Sequence, residues 1–216
     1  MKWNRTLALL FLIAIGSANP VEARIYSGVT LGTNLTELKT EILPADGSQL
    51  GFHVGVFAGR LIDDRLSAEV GLQFSQRGGK GTAGDSLKLG TTFLHKGKVS
   101  YAFEYVIFPV SLKYRFQSTN LGVPWIRLGA EFAFLTSAEM TTSESKQSMT
   151  EVLKSYDILF TTGLGLQVPI SSREGLVELT FSHGLGYIQD YFVRTRDESE
   201  VRIKNQSLAL SFGILF

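Results

Sequence analysis

The sequence lacks cysteine, an excess of either charge, and any long apolar run beyond its first residues. Without cysteine the chain forms no disulfide and is not a lipoprotein, since lipoprotein processing requires a cysteine. With 21 basic and 20 acidic residues it offers no basic surface to attract nucleic acid. The longest later apolar stretch, 105–110, is far too short for a membrane helix, which needs about 20 residues. A chain of this kind can cross a membrane only as a closed β-barrel.

The first residues have the pattern of a secretory signal peptide. Lys2 and Arg5 precede an apolar run of nine residues at 7–15 (LALLFLIAI), and small residues follow. Because this run is too short to span a bilayer, we predict a signal peptide at 1–23, with a retained membrane anchor as the alternative. Ala18 and Ala23 both suit cleavage, and Ala23 is favoured because a β-like sequence begins directly after it. Residues 24–216 are long enough for one domain with a closed core.

Apolar residues recur at every second position through most of residues 24–216. In the last ten residues (SLALSFGILF) Leu, Leu, Phe, Ile and Phe alternate with small or polar residues, so one face of a strand is apolar. This period predicts an all-β fold, an eight-stranded antiparallel up-and-down transmembrane β-barrel of outer-membrane type. Its strands are predicted at 24–34, 50–61, 65–77, 101–116, 124–138, 154–168, 174–188 and 204–216. A terminal Phe is similar to the signal by which outer-membrane proteins are recognised for barrel assembly, so Phe216 is the predicted assembly signal.

The second face of these strands favours a membrane barrel over a soluble one. It is rich in Gly and Ser, which suits a narrow lumen, and its charges have both signs and can pair across that lumen. The predicted lumen charge network consists of Glu69, Lys113, Arg115, Arg127, Glu131, Asp157 and Glu178. Aromatic residues occur near the ends of the apolar faces, as interfacial girdles require: Phe52, Tyr114, Phe116, Tyr156 and Tyr187. Since a period of two does not say which face is inside, a soluble periplasmic lipocalin-like barrel is the alternative.

The connections between the predicted strands alternate strictly in length. The long polar ones are 35–49, 78–100, 139–153 and 189–203, and the shorter ones lie near 63–64, 117–123 and 169–174. Outer-membrane barrels have short periplasmic turns and long extracellular loops. The alternation therefore predicts that both termini lie in the periplasm of a Gram-negative bacterium.

Four segments resemble the PorT-like outer-membrane β-barrel family of Bacteroidota. Residues 28–36 (GVTLGTNLT) resemble its first-strand pattern G-x-K-x-G-x-N-x-S, and 51–58 (GFHVGVFA) resemble its GFHAGLF. Residues 66–80 are similar to its third strand, which runs into Y-S-Q-K-G. Residues 104–116 (EYVIFPVSLKYRF) are similar to its N-Y-L-E-I-P-L…K-Y-K-F strand. The resemblance covers essentially all of residues 24–216 and implies an outer-membrane barrel.

The chain departs from that family at two positions that the family fills with acidic residues. Ile107 stands where the family has Glu before the proline, and Gly71 stands at the acidic position of the third strand. An interior charge network of the family's kind is therefore altered, and Glu69 or Glu131 would have to substitute. The resemblance implies little about activity, although a few members look like accessory parts of a secretion system.

The three histidines show no spacing typical of a metal site or a catalytic triad. His53 falls on the predicted lumen face, His95 lies in a long loop, and His183 falls on the apolar face with Phe181. A polar residue on that face fits the membrane interface, or a bulge that turns it inward. Lipid A deacylases of the PagL type carry an outward His-x-Ser pair, but here Leu185 replaces that serine.

These observations predict no catalytic, metal-binding or cofactor-binding residue. An eight-stranded barrel is filled by its own side chains, so a diffusion pore is not expected. We expect a monomer with a structural, binding or secretion-accessory role through its extracellular loops. Its expected partners are outer-membrane lipid and lipopolysaccharide, the barrel-assembly machinery, and secretion-system or surface proteins. A lipid A-modifying hydrolase is the less favoured alternative.

Overall fold

The computed structural model describes residues 25–40, 47–83, 87–89, 92–94, 97–142, 146–148, 150, 155–186 and 203–216. Eight long strands make up most of them: β1 (Ile25–Thr40), β2 (Gly47–Leu61), β3 (Leu66–Ala83), β6 (Gly97–Arg115), β7 (Val123–Thr142), β9 (Tyr156–Ile170), β10 (Arg173–Gly184) and β11 (Ile203–Leu215). Short strands β4 (Leu87–Leu89), β5 (Thr92–Leu94) and β8 (Lys146–Ser148) belong to two of the connections. The predicted signal peptide, His95 and Tyr187 lie outside the described residues. Within the described ranges, no helix is long and apolar enough to cross a membrane.

The eight long strands close into one antiparallel barrel. Neighbours in sequence pair throughout, β6 pairs with β7, and the first and last strands, β1 and β11, pair with each other. Since every long strand has two partners, the wall has no free edge along its paired length. The predicted fold class is confirmed.

The register fixes the size of the barrel. A path from Ile25 through successive cross-strand partners returns to β1 at Leu35, ten residues further along. Eight strands with this stagger tilt by about 40° from the barrel axis and enclose a cylinder of about 8 Å radius. Such an interior is just wide enough for side chains to fill it.

Apolar side chains face outward around the lower part of the wall, in what we call the apolar belt. On β3 the belt runs from Leu66 to Phe74, while Ser67, Glu69 and Ser75 between them are buried inside. The nine residues of β3, like Leu208 to Phe216 on β11, rise roughly 20–25 Å along the axis. Outer-membrane barrels carry an apolar band of about this height. The predicted faces are confirmed, and the lipocalin-like alternative is wrong because its faces would be reversed.

A ring of polar side chains closes the belt at its upper edge. On the outer surface Gln76 Nε2 donates to Glu104 Oε1 at 3.3 Å, and Thr136 Oγ1 donates to the Glu104 carbonyl at 3.0 Å. A β-bulge in the β6–β7 ladder lies at this level, beside Glu104. The members of this polar ring are Glu37, Gln76, Glu104, Thr136, His183 and Gln206.

Above the polar ring the strands continue as an extension whose faces are inverted. On β6 the outward residues Lys98 and Ser100 are polar, whereas Val99, Tyr101 and Phe103 point inward and are buried. Other strands add further buried apolar side chains to this interior, among them Leu38, Ala138 and Met140. Apolar residues inside and polar residues outside are the arrangement of a barrel surrounded by water.

The extension corrects the predicted loops. β1 continues to Thr40 and β3 to Ala83, and β7 continues to Thr142, so much of the predicted loops 35–49, 78–100 and 139–153 is strand. The sequence predicts loops here because the outward residues of these segments are polar, whereas a strand that faces lipid has apolar outward residues. The seventh barrel strand, β10, is shorter than predicted and ends at Gly184.

Three connections of two to seven residues and both ends of the described barrel lie at one end, which we call the turn end. At the other, the loop end, one connection has six residues and the other three have 13, 13 and 18. In the turn after β2, Asp63 Oδ1 accepts hydrogen bonds from the main-chain N–H groups of Arg65, at 2.7 Å, and Leu66, at 2.6 Å. Because these bonds favour the carboxylate, they lower the pKa of Asp63 below its ordinary value.

Inward-facing glycines make room for the large side chains of neighbouring strands. The Tyr26 ring lies over Gly59 of β2, and the Trp125 ring lies over Gly165 of β9, so a methyl group at either glycine would overlap a ring. This steric relation explains why the inner face is rich in glycine. It allows a side chain from one strand to reach past its neighbour to a third strand.

Candidate functional site

Four charged side chains from four strands form the lower layer of the lumen. Lys113 Nζ on β6 lies 3.2 Å from Glu69 Oε1 on β3, and Arg127 Nη1 on β7 lies 3.7 Å from Glu69 Oε2. The other end of the Arg127 guanidinium forms an ion pair with Glu178 Oε1 on β10. The signs alternate along this chain of contacts, so each buried charge has an opposite partner.

The strand register places two like charges next to each other in the lower layer. Lys113 and Arg127 are directly opposite each other on β6 and β7, and like charges in that relation are destabilising. Glu69 and Glu178 flank the two cations and compensate them. Arg127 reaches Glu178 across β9 because Gly163 has no side chain there; a Cβ at that position would lie 2.8 Å from Glu178 Oε1.

Aromatic side chains close the lower layer toward the turn end. The Tyr26 hydroxyl donates to Glu69 Oε1 at 2.7 Å, and it lies 2.9 Å from Ser67 Oγ. Lys113 Nζ lies 4.4 Å from the centre of the Trp125 ring, which is a cation–π distance. The charges of this layer are therefore held by contacts on several sides.

A second ion pair lies higher in the lumen. Arg77 Nη2 on β3 lies 2.6 Å from Glu131 Oε2 on β7, and both side chains are buried. Ser182 Oγ on β10 donates to the second carboxylate oxygen, Glu131 Oε1, at 2.8 Å. Sequence reasoning missed Arg77, although it continues the inward alternation of Glu69 and Ser75 and could have been found by that parity.

The two other predicted members of the network lie apart from these ion pairs. Asp157 Oδ2 accepts a hydrogen bond of 3.0 Å from Asn205 Nδ2, near the upper end of the polar lumen. Arg115 lies at the turn end, where its Nη2 donates to the Asp64 carbonyl at 3.1 Å. Neither Asp157 nor Arg115 forms an ion pair of 4.0 Å or less with an oppositely charged side chain among the described residues.

His53 joins three strands inside the lumen. Its ring lies over Gly32 of β1, and its Nε2 is 2.9 Å from Ser211 Oγ on β11. This bond crosses the seam where the first and last strands pair. In the described part of the chain no group of three or more metal-ligating side chains occurs, and we assign His53 a structural role.

The polar lumen is almost filled. Among the described residues, a cavity of about 60 Å³ lies between the two ion-pair layers and is lined by side chains of both layers. Since a buried water needs about 10–15 Å³, this space holds only a few waters. Arg127 Nε and Arg77 Nε, which have no protein partner among the described residues, are the donors that such waters would satisfy.

An apolar plug lies above the polar lumen, inside the extension. Its largest side chains are Tyr101, Phe103 and Tyr105 of β6, all of them buried. Phe103 and Tyr105 pack edge to face with their ring centres 6.5 Å apart. Leu38 packs from β1 against the position of Gly79, where a Cβ would lie 3.1 Å from Leu38 Cγ. The plug and the two ion-pair layers follow one another along the axis of the barrel.

His183 lies on the outer surface at the polar ring, directly opposite Gln206, as the interface interpretation predicts. Its ring stacks on Phe181 with 6.5 Å between the centres. Ser182 points into the lumen, where it donates to Glu131, so it does not approach the imidazole. Ser182 is therefore not placed to act as the nucleophile that the deacylase alternative needs.

A closed eight-stranded barrel with an apolar outer belt and a polar, ion-paired interior defines a transmembrane β-barrel of the outer-membrane type. The comparison with protein families agrees. The chain belongs to the family described as outer membrane protein beta-barrel domain, whose model matches residues 17–190. This family places the protein in an outer membrane, which indicates a Gram-negative bacterium.

Solved structures of outer-membrane barrels are similar in fold. OprG from Pseudomonas aeruginosa matches with a TM-score of 0.50 and 11% identity over 90% of this chain and 96% of that one. Neisserial surface protein A matches with a TM-score of 0.47 and 13% identity over 87% and 96% of the two chains. Ail of Yersinia pestis, in complex with a heparin analogue, matches with a TM-score of 0.46 and 13% identity over 89% and 99%. No curated protein matches the chain.

Proposed function

We propose that this chain is a non-conducting, non-enzymatic outer-membrane barrel that holds its loop-end connections at the cell surface for structural, binding or secretion-accessory roles. The observation that carries the proposal is the filled interior. Two layers of ion pairs and an apolar plug follow one another along the axis, and the internal cavity is only about 60 Å³. A solute would have to break buried ion pairs and displace aromatic side chains to pass.

Conductance tests the closed lumen directly. The refolded protein, reconstituted in planar bilayers beside a known porin, should give no stable open level, and liposomes that contain it should not swell in sugars. A variant of the plug should show where the barrier lies. Replacing Tyr101, Phe103 and Tyr105 by Gly should remove the plug but leave the ion-pair layers closed. Steady ohmic conductance from the unmodified chain would overturn the proposal.

We further propose that the turn end faces the periplasm and the loop end the cell surface, with both termini periplasmic. Connections of two to seven residues at one end, and three connections of 13 residues or more at the other, support this orientation. Because the chain has no cysteine, Asn120→Cys in a short turn and Lys146→Cys at the loop end each create one reactive thiol. A membrane-impermeant maleimide on intact cells should label only the Lys146 variant. The reverse labelling would contradict the orientation.

The proposal of no enzymatic activity rests on the outer surface around His183. The neighbouring Ser182 is turned away into the lumen, so it would not serve as the nucleophile of a lipid A hydrolase. Lipid A from cells that express the protein should be unchanged. Deacylated lipid A that reverts to normal with His183→Ala would favour the hydrolase instead.

The finer assignment to a PorT-like protein of Bacteroidota is also a proposal, supported by the segments 28–36 and 51–58. Its partners would be outer-membrane lipid and lipopolysaccharide, the assembly machinery that reads Phe216, and secretion or surface proteins bound by the loops. A deletion strain scored for surface-protein secretion distinguishes the roles. Loss of secretion with an intact membrane would support the accessory role, and normal secretion would leave the structural or binding role.

A further inference from the structure

An open vestibule of about 690 Å³ lies at the turn end of the barrel, below the lower ion-pair layer. Small-molecule sites commonly have volumes of this order. Its lining combines three cationic side chains, Lys113, Arg115 and Arg173, with apolar surface from Tyr26 and Phe216. The vestibule lies on the turn-end side of the lower ion-pair layer and shares Lys113 with the lining of the central cavity.

The two arginines of the vestibule each make one described side-chain contact. The Arg173 guanidinium lies over the Phe216 ring, with Cζ 4.5 Å from the ring centre. Arg115 uses Nη2 to bind the Asp64 carbonyl at 3.1 Å. A cation fixed in this way loses little conformational entropy when it binds a ligand.

The vestibule has more donors than acceptors. Arg115 Nε is buried with no hydrogen-bond partner among the described residues, and an unpartnered buried donor is costly. Glu174, the only carboxylate side chain among the described lining residues, accepts a hydrogen bond from the Gln167 amide. Lys113 is neutralised by Glu69. Among the described ion pairs, none joins the terminal carboxylate of Phe216 to Arg115 or Arg173.

We propose that this vestibule binds a small anion that carries one carboxylate or phosphate group beside an apolar group. Arg115 and Arg173 bind the anionic group, since planar guanidinium groups match its geometry. Tyr26 and Phe216 contact the apolar part. This assignment gives the turn end a binding role of its own and goes beyond the proposed surface display by the loop end.

Nuclear magnetic resonance of the refolded full barrel in lipid nanodiscs tests the site. The probes are N-acetylphenylalanine, its neutral amide as the matched control, and inorganic phosphate. The acid should shift the side-chain Nε–H resonances of Arg115 and Arg173, and the amide should not. If phosphate shifts them more strongly than the acid, the anionic group is a phosphate, and the reverse order identifies a carboxylate.

Single substitutions distinguish binding at the vestibule from a general effect of surface charge. Arg115→Gln and Arg173→Gln should each weaken binding of the acid by roughly tenfold or more, because a charge-assisted hydrogen bond is lost. Arg65→Gln, on the exposed turn outside the vestibule, should leave binding unchanged. Heat-modifiable migration on a gel confirms that each variant is folded. If a variant does not fold, the resonance shifts of the wild-type protein with the acid, the amide and phosphate decide whether the vestibule binds the anion. Equal shifts with the amide, no shift with either anion, or equal weakening by Arg65→Gln would overturn the proposal. None of these results depends on conductance.

Discussion

From Val106 to Leu112 the outer face of strand β6 is apolar, whereas from Val99 to Tyr105 its large apolar side chains point inward. The change of the apolar face occurs at the level of the polar ring. Alternation alone is therefore not the property that distinguishes a membrane strand from a soluble one. The solvent outside decides which face carries the apolar residues, and a single strand can meet two solvents.

The interiors differ as much as the outer surfaces. Below the ring the lumen holds ion pairs because the apolar residues are needed on the lipid side, and paired charges fill the remaining space. Above the ring the outer wall is free to be polar, so the interior is packed like a soluble core. The Arg77–Glu131 pair lies close to the border between these two interiors.

The largest expected effect comes from breaking the pair at that border. Arg77→Met should destabilise the folded barrel by about 3–5 kcal/mol, because it leaves Glu131 buried without its partner. The double variant with Glu131→Gln should recover a large part of that loss. Denaturant unfolding in lipid vesicles measures both. A loss below about 1 kcal/mol for the single variant would mean that the pair does not matter to stability.

The two halves of β6 allow a matched comparison of an inward and an outward aromatic residue. Phe103→Ala, in the plug, should cost about 3–5 kcal/mol because it leaves a cavity in a packed interior. Phe108→Ala, in the belt, should cost roughly 1–2 kcal/mol because lipid chains can fill the space that the ring leaves. Unfolding free energies in the same vesicles test the order. Equal losses would indicate that the plug is not packed like a core.

A charged residue introduced on the outer surface gives a second comparison between the apolar belt and the extension. Leu72→Arg, near mid-height of the belt on β3, should cost about 2–4 kcal/mol, as a lipid-facing arginine does near the bilayer midplane. Thr82→Arg, on the outer face of the same strand in the extension, should change stability by less than about 0.5 kcal/mol. If both variants lose the same stability, the extension is not in water.

The smallest expected effect concerns the turn after β2. The pKa of Asp63 is lowered from 3.8 by two main-chain hydrogen bonds. A lowered pKa in the folded state means that the carboxylate stabilises the fold above its ordinary pKa, and that this stability is lost as the pH falls through the folded-state value. Asp63→Asn should therefore lower the unfolding midpoint slightly and equally at pH 7 and pH 5. The difference should close below about pH 4.

The belt half could be predicted from the sequence because its pattern is simple. Leu66 to Phe74 alternate with Ser67 to Ser75, and the closing strand behaves in the same way. Each residue's parity also predicts its face, and Glu69, Arg127 and Glu178 lie on the inner face of the barrel. The period of two carries all of this information, and it needs no knowledge of which strands pair across the barrel.

The extension could not be predicted in the same way. Where the apolar face changes sides, both faces are apolar for a few residues, and the run 105–110 is the result. Above it, polar residues such as Lys98 and Ser100 on the outer face make the strand look like a loop. A strand prediction that allowed the apolar residues to move from one face to the other at such a run would have extended β6 into the predicted loop 78–100.

The partners of the charges also escaped prediction. Arg127 and Glu178 lie on strands that do not pair with each other, and their contact depends on Gly163 between them. Register and the space left by a glycine are properties of the closed barrel. The pattern along one strand contains neither, and Arg77 was missed because the predicted third strand ended at that residue.

Site-directed spin labelling along β6 tests the central claim, that the barrel wall passes from lipid to water at the polar ring. Because the chain has no cysteine, single substitutions to Cys at the outward positions Lys98, Ser100, Glu104, Val106, Phe108 and Leu112 can each carry one label. The account predicts that labels at Val106, Phe108 and Leu112 are accessible to oxygen in the lipid, and that labels at Lys98, Ser100 and Glu104 are accessible to a water-soluble nickel complex. Lipid accessibility that continues past Glu104 to Lys98 would contradict it.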